Sequence, residues 1–235
     1  MACKPVPLSS SSTLICLVTD RIALAETATD AGDEALPQLL EVIADCADAG
    51  VDLVQIREPG LHDRSLLNLV RGAVDRTRAT SARVVVNDRP DVALAAGADG
   101  VHLKDDARSA RRVRALGPRG WIVGRSVHDA SAARRATQSG AIDYLLAGTV
   151  FASASKPGRP PLGLDALRDI VRASSRPVLA IGGVTVDDGA AVAATGAAGV
   201  AGIRLFRCGP SSRRARIAER VQVLRAAFDR GRTLD

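Results

Sequence analysis

Four segments of this chain lead from a helix end into an apolar run through nearly the same phrase. They are Ala-Gly-Val-Asp-Leu-Val (49–54), Ala-Gly-Ala-Asp-Gly-Val (96–101), Ser-Gly-Ala-Ile-Asp-Tyr (139–144) and Thr-Gly-Ala-Ala-Gly-Val (195–200). A glycine just past a helix takes the left-handed conformation that closes the last turn, so Gly50, Gly97, Gly140 and Gly196 each mark a helix stop. Between them short apolar runs alternate with amphipathic stretches, and the phrase therefore recurs every two β/α units. The strands read as Leu14–Thr19, Val51–Ile56, Arg83–Val86, Gly100–Leu103, Ile122–Gly124, Ile142–Ala147, Val178–Ile181 and Gly199–Leu205. The helices between them carry apolar faces such as Leu36/Leu39/Leu40/Ile43/Ala47, Leu66/Leu69/Val70/Val74 and Val113/Leu116. The last helix, about Ser212–Arg230, presents Ile217, Val221, Leu224 and Phe228. Eight units with a fourfold repeat predict an α/β chain folded as a single-domain (β/α)8 TIM barrel. An open doubly wound sheet is the alternative, and no Gly-x-Gly-x-x-Gly follows the first strand to support it.

Composition agrees with buried parallel strands. Hydrophobic residues make up 46% of the 235 positions but aromatics only 2%, so the core filling is Ala, Val, Leu and Ile. The net charge of +6 lies mainly in Arg108–Arg119 and in the stretch from Arg204 to Arg232. With one Tyr and one Trp there is no stacking platform for nucleic acid, and a phosphorylated small molecule is the simpler partner for local positive charge. Cys3, Cys16, Cys46 and Cys208 lack the paired short spacing of a zinc site, and Cys16 and Cys46 read as buried apolar residues. Residues 1–13 read as a mobile leader before a barrel spanning 14–235. The apolar run at 14–18 is too short for a signal or a membrane span, which predicts a cytoplasmic protein with no membrane partner.

Polar residues gather where strands end, the face on which such barrels carry their chemistry. Period-two alternation sends Gln55 and Arg57 the same way, toward the mouth or as a structural pair at its rim. Asn87-Asp88-Arg89 follows strand three; the amide suits a substrate heteroatom and the carboxylate a metal, unless Asp88 opens an Asx turn. His102, Lys104, Asp105 and Asp106 surround the end of strand four, with Asp106 equally suited to cap the next helix. Trp121–His128 ends strand five at Gly124 and delivers Ser126 and His128 into the following loop. The loop after strand six carries Ser153, Ser155, Lys156 and Arg159, donors and cations suited to an anion. Gly182-Gly183 after strand seven lets backbone N–H groups approach a phosphate, and Ile203-Arg204 at the end of strand eight completes that corner.

Taken in order, Val54-Gln55-Ile56-Arg57-Glu58, Val86-Asn87-Asp88-Arg89, Asp99-Gly100-Val101-His102-Leu103, Gly124-Arg125-Ser126-Val127-His128, Asp143-Tyr144 with Gly148, and Ala180-Ile181-Gly182-Gly183 resemble the thiamine phosphate synthase/TenI superfamily. The resemblance covers nearly the whole barrel and implies a thiamine-biosynthesis enzyme that binds thiazole phosphate, with a homodimer as the fold family's habit. Two reactions share that scaffold. A TenI-like thiazole tautomerase aromatises thiazole phosphate carboxylate without a cofactor; the resemblance makes His128 its proton carrier, with Ser126 beside it. An imidazole suits this role because it both takes and returns a proton near neutrality. A thiamine phosphate synthase instead uses Mg²⁺ to couple a pyrimidine methyl diphosphate to the thiazole nitrogen. By resemblance, Gln55, Arg57, Asn87, Ser126, Ser153, Ser155 and Lys156 would bind substrate, and Asp88 with Asp106 would hold the metal. The family's lysine two residues after the strand-two arginine is here Pro59, and its Gly-Gln-x-Asp metal loop is Lys104-Asp105-Asp106-Ala107. Lys104 would supply the missing cation, and Asp105 or Asp106 the missing ligand. Arg204 replaces a small polar residue, as an added phosphate ligand. These departures, with His128, lead the sequence reading to the tautomerase as the main expectation and the synthase as the alternative. A non-catalytic binder of thiamine intermediates and a general sugar-phosphate isomerase are further alternatives.

Overall fold

Val, Ile and Leu crowd both faces of a strand only where both faces are covered, and the structure covers them in two ways. The structure is a computed structural model and describes residues 12–24, 33–105, 110–153, 158, 160–209 and 211–232. Eight strands, β1 (Leu14–Val18), β2 (Leu53–Ile56), β3 (Arg83–Asn87), β4 (Gly100–Leu103), β5 (Ile122–Val127), β6 (Tyr144–Gly148), β7 (Val178–Ile181) and β8 (Gly199–Gly202), pair in sequence order as a closed barrel. All pairs are parallel, including the closing β1–β8 pair. Around them lie α1 (Arg21–Leu24), α2 (Leu36–Asp48), α3 (Asp63–Thr77), α4 (Pro90–Ala96), α5 (Ala110–Leu116), α6 (Ala130–Gln138), α7 (Gly163–Ala173), α8 (Gly189–Ala193) and α9 (Arg213–Arg232). The chain is thus a single-domain (β/α)8 barrel, as its repeat predicts.

Alternation along each strand splits the core. Leu14, Cys16 and Val18 of β1, Leu53, Val85, Tyr144 and Leu179 fill the lumen, while Ile15, Leu17, Val54, Val84 and Val86 pack outward against the helices. The outer layer closes with Ile217, Val221, Leu224 and Phe228 of α9, all buried. Cys16 and Cys46 are fully buried and unpaired, as apolar filling.

The fourfold phrase is a clamp at the N-terminal ends of the strands. Gly50, Gly97, Gly140 and Gly196 all have positive φ, between 67° and 90°, which explains why glycine stands there. In three repeats the following aspartate then accepts a hydrogen bond from the backbone of the preceding strand. Asp52 takes the N–H of Ile15 at 2.8 Å, Asp99 that of Val84 at 2.8 Å and Asp143 that of Val123 at 2.7 Å. Each carboxylate also pairs with an arginine, Arg225, Arg83 and Arg114 respectively. The fourth repeat has Ala198 where the first two have aspartate, and there the backbone N–H of Ala198 bonds to the Val178 carbonyl.

Several boundaries differ from the sequence reading. β5 continues past Gly124 because Arg125, Ser126 and Val127 still pair with Leu145, Leu146 and Ala147, so Ser126 sits on the strand and not in a loop. β8 stops at Gly202, and Arg204–Phe206 tightens into a 3₁₀ turn held by Phe206 N–H to Ile203 carbonyl and Arg207 N–H to Arg204 carbonyl. β2 begins at Leu53, because the Val51 N–H still bonds back to the Cys46 carbonyl at the end of α2. Leu116, expected on the inner face of α5, is 61% exposed at the helix end, and Val113 alone of that pair is buried. Ser155, Lys156, Asp106 and Arg159 lie outside the described residues. Among the described residues no helix is long and apolar enough to cross a membrane.

Candidate active site

Inward-facing side chains near the C-terminal strand ends surround one cavity of about 960 Å³. On β2, Gln55 is almost fully buried, and its Nε2 donates to Asn87 Oδ1 of β3 at 2.9 Å. Its Oε1 is buried with no hydrogen-bond partner among the described residues. A buried amide oxygen left unpaired costs stability, so this atom is held ready for a ligand donor. Arg57, two residues on, reaches the same cavity from the rim, its backbone N–H held by Thr19 Oγ1 at 2.9 Å.

Asp88 does not cap α4. Its φ of 55° turns the chain at the strand end, its N–H bonds to the His102 carbonyl, and its carboxylate lies 3.5 Å from Lys104 Nζ. Lys104 and Asp105 both line the cavity. This corner, where β3 and β4 end, therefore combines two carboxylates with a cation.

Three more polar groups meet over β5. His102 of β4 is fully buried, its Nε2 2.9 Å from Ser126 Oγ and its Nδ1 3.0 Å from the hydroxyl of Tyr144 on β6. Burial, helped by the Arg125 charge, pushes the His102 pKa down to about 3, so the ring is neutral at physiological pH. Burial likewise raises the Tyr144 phenol well above its usual range. Ser126 faces the cavity. His128 also lines it, with Nδ1 against the Gly148 carbonyl. A carbonyl accepts, so Nδ1 carries the proton and Nε2 is the basic ring atom.

Opposite, Gly182 and Gly183 follow β7 with φ of 95° and 70°. A Cβ on Gly182 would strike Thr149 and one on Gly183 would strike Phe151 and Ala152, so the pair is also required by close packing against the β6 loop. Both glycines line the cavity with Ser153, Ile203 and Arg204. Arg204 reaches it from the 3₁₀ turn. Arg220 of α9 fastens that turn, its Nη1 donating to the carbonyls of Leu205 at 2.8 Å and Arg207 at 3.0 Å.

The structure thus brings Gln55, Arg57, Asn87, Ser126, His128, Ser153, Gly182, Gly183, Ile203 and Arg204 to one cavity, with Asp88 at its edge through Lys104. Sequence reasoning missed Thr149, Arg220 and the partnership of His102 with Tyr144. The first two carry no local signal. The third depends on barrel register, which sets His102 beside Gly124 and Gly124 beside Tyr144.

Closed parallel topology and a polar cavity at the C-terminal strand ends put this chain among the (β/α)8-barrel enzymes. It belongs to the thiamine monophosphate synthase family, which matches residues 15–206. A thiamine-phosphate synthase of Roseiflexus castenholzii is 36% identical over 199 residues, covering 84% of this chain and 82% of the relative. Another from Roseiflexus sp. is 34% identical over 230 residues, 97% and 92% of the two chains. Among solved structures, a thiamine phosphate pyrophosphorylase from Pyrococcus furiosus superposes with a TM-score of 0.76 at 27% identity, covering 94% of this chain and 98% of that one.

Proposed function

We propose that this protein is a thiamine phosphate synthase, joining a pyrimidine methyl diphosphate to a thiazole phosphate. The observation that carries this reading is a single cavity with anion-binding groups at two opposite sides. Arg57 and Lys104 stand near β2 and β4, Gly182, Gly183 and Arg204 after β7 and β8, and neutral Gln55, Asn87 and Ser126 between. A tautomerase handles one phosphorylated substrate and needs one such pole; a coupling reaction between two anionic substrates needs both. Curated relatives bearing the synthase name support the same choice, while the tautomerase expectation drawn from His128 has no support among them.

In this reading the thiazole phosphate sits at the Gly182–Gly183 corner, with Arg204 adding charge and Ile203 packing on the ring. Gln55 Oε1 meets the exocyclic amine of the pyrimidine, which removes its unpaired state. Arg57 and Lys104 receive the diphosphate, aided by Ser153, and by Ser155 and Lys156 of the same loop. The carbon–oxygen bond to diphosphate breaks with its electron pair leaving on oxygen, and the thiazole nitrogen lone pair forms the new carbon–nitrogen bond. That step needs no proton carrier, so His128 is a cavity wall. Mg²⁺ fits the β3–β4 corner, because it keeps most of its waters and takes one or two carboxylates beside substrate phosphates. Asp88 and Asp105 would hold it, with Asp106 as a further carboxylate, and the ion would supply charge neutralisation of the leaving diphosphate.

The test is incubation of purified protein with both substrates and Mg²⁺. Formation of thiamine phosphate, read as thiochrome fluorescence after oxidation, is expected. Failure to form it, together with aromatisation of thiazole phosphate carboxylate, would overturn the proposal in favour of the tautomerase.

A further inference from the structure

The geometry points to a buried relay, Tyr144 to His102 to Ser126, that fixes the Ser126 hydroxyl as a hydrogen-bond donor to whatever occupies the cavity. Its polarity follows from the phenol. The Tyr144 hydroxyl lies within the barrel lumen, and among the described residues its one hydrogen-bond partner is His102 Nδ1. The phenol proton is therefore satisfied only if Tyr144 donates and Nδ1 accepts. A neutral imidazole then carries its proton on Nε2, which donates to Ser126 Oγ at 2.9 Å. With its oxygen engaged from behind, Ser126 turns its own O–H toward the cavity it lines. The reverse tautomer would leave the phenol proton without an acceptor and present Ser126 as an acceptor.

Gly124 makes the relay possible. In the barrel register His102, Gly124 and Tyr144 are lateral neighbours on β4, β5 and β6, so two rings on alternate strands can meet only across an empty middle position. A Cβ at Gly124 would come within 2.2 Å of Tyr144 Cζ and 2.5 Å of its hydroxyl oxygen, closer than any side chain could pack. The two rings accordingly stand 5.5 Å apart at 38° across β5. A doubly protonated ring would likewise leave the phenol proton without an acceptor, so the contact itself calls for the neutral imidazole. Tyr144, His102 and Gly124 are positioning residues, and the ligand atom facing Ser126 is a lone-pair acceptor such as an aromatic ring nitrogen. On the synthase reading that atom belongs to the pyrimidine; the tautomer itself stands apart from that reading.

Long-range ¹H–¹⁵N correlation spectra of the full-length protein at neutral pH test the tautomer without any ligand. We expect His102 with Nε2 protonated and Nδ1 bare; an Nδ1-protonated ring overturns the relay, whatever the protein catalyses. In the synthase assay, Tyr144→Phe is expected to raise KM for the pyrimidine diphosphate about three- to tenfold, the scale of one net hydrogen bond. In a Ser126→Ala background the same change is expected to add nothing. Additive effects would overturn the relay, while a parent protein that makes no thiamine phosphate but shows the Nε2 tautomer would remove only the synthase reading.

Discussion

Asp143→Ala isolates what the repeated clamp contributes to the barrel. The carboxylate accepts the N–H of Val123, a fully buried residue of β5, at 2.7 Å, and pairs with Arg114 at 2.5 Å. Alanine leaves that N–H without an acceptor inside the barrel wall, at about 1–3 kcal/mol. The ion pair adds little, about 0–1 kcal/mol, because both side chains are a third exposed. Arg114 also keeps its bonds to the carbonyls of Ala141 and Trp121. The expected loss is therefore about 1–4 kcal/mol, read as a fall in Tm of roughly 2–16 °C for a chain of this size. Asp143→Asn retains an amide oxygen for the Val123 N–H and loses only the charge, so it should cost below about 1 kcal/mol. Thermal and urea unfolding followed by circular dichroism, with amide exchange at Val123, measure both variants. Equal losses in the two would refute the clamp and assign the stability to the ion pair. The site lies at the far end of β5 from the cavity, so kcat and KM should match the parent in the Asn variant.

Two further outcomes follow from the site. His128→Ala should retain thiamine phosphate formation to within about tenfold, because loss of an acid/base group costs roughly 10²–10⁴ in rate and the coupling step asks for none; a loss beyond that range, measured in kcat, would return His128 to the chemistry. His102 adds a pH dependence of known sign. Its folded pKa of about 3 lies below that of an unfolded imidazole, so between those values the unfolded chain binds the extra proton and stability falls as pH falls. From pH 6.5 to 4.5 the parent should lose about 2–3 kcal/mol relative to His102→Asn, measured by urea unfolding. Parallel pH profiles for the two proteins would show that His102 titrates as a solvated group.

Pro59 and the Lys104-Asp105-Asp106-Ala107 loop are the two places where the chain departs from the family pattern for binding diphosphate and metal. In the fold, Lys104 and Asp105 line the cavity and Lys104 pairs with Asp88, so the β3–β4 corner retains both cation and carboxylate. The proton-carrier role of His128 is what the resemblance to the TenI branch implies; in the fold its ring lines the cavity with Nδ1 on the Gly148 carbonyl, and the relatives that carry a synthase name lend that role no support.

The barrel was legible because its determinants are local and periodic. Gly50, Gly97, Gly140 and Gly196 need no distant partner to demand a positive φ, and apolar runs of strand length followed by 3.6-period faces recur regardless of what they pack on. Strand ends that carry polar residues then point to the mouth, which is why Gln55, Arg57, Asn87, Ser126 and the glycine pair could be named from sequence. What the sequence could not fix was where pairing stops and which inward side chains become neighbours. β5 runs to Val127 because β6 offers it partners, and β8 turns at Gly202 into the 3₁₀ segment that aims Arg204. The contact of His102 with Tyr144 spans 42 positions and exists only because register sets Gly124 between them and glycine leaves the space empty. Period and backbone conformation are written in neighbouring residues; lateral adjacency in a closed sheet is decided by the closure itself.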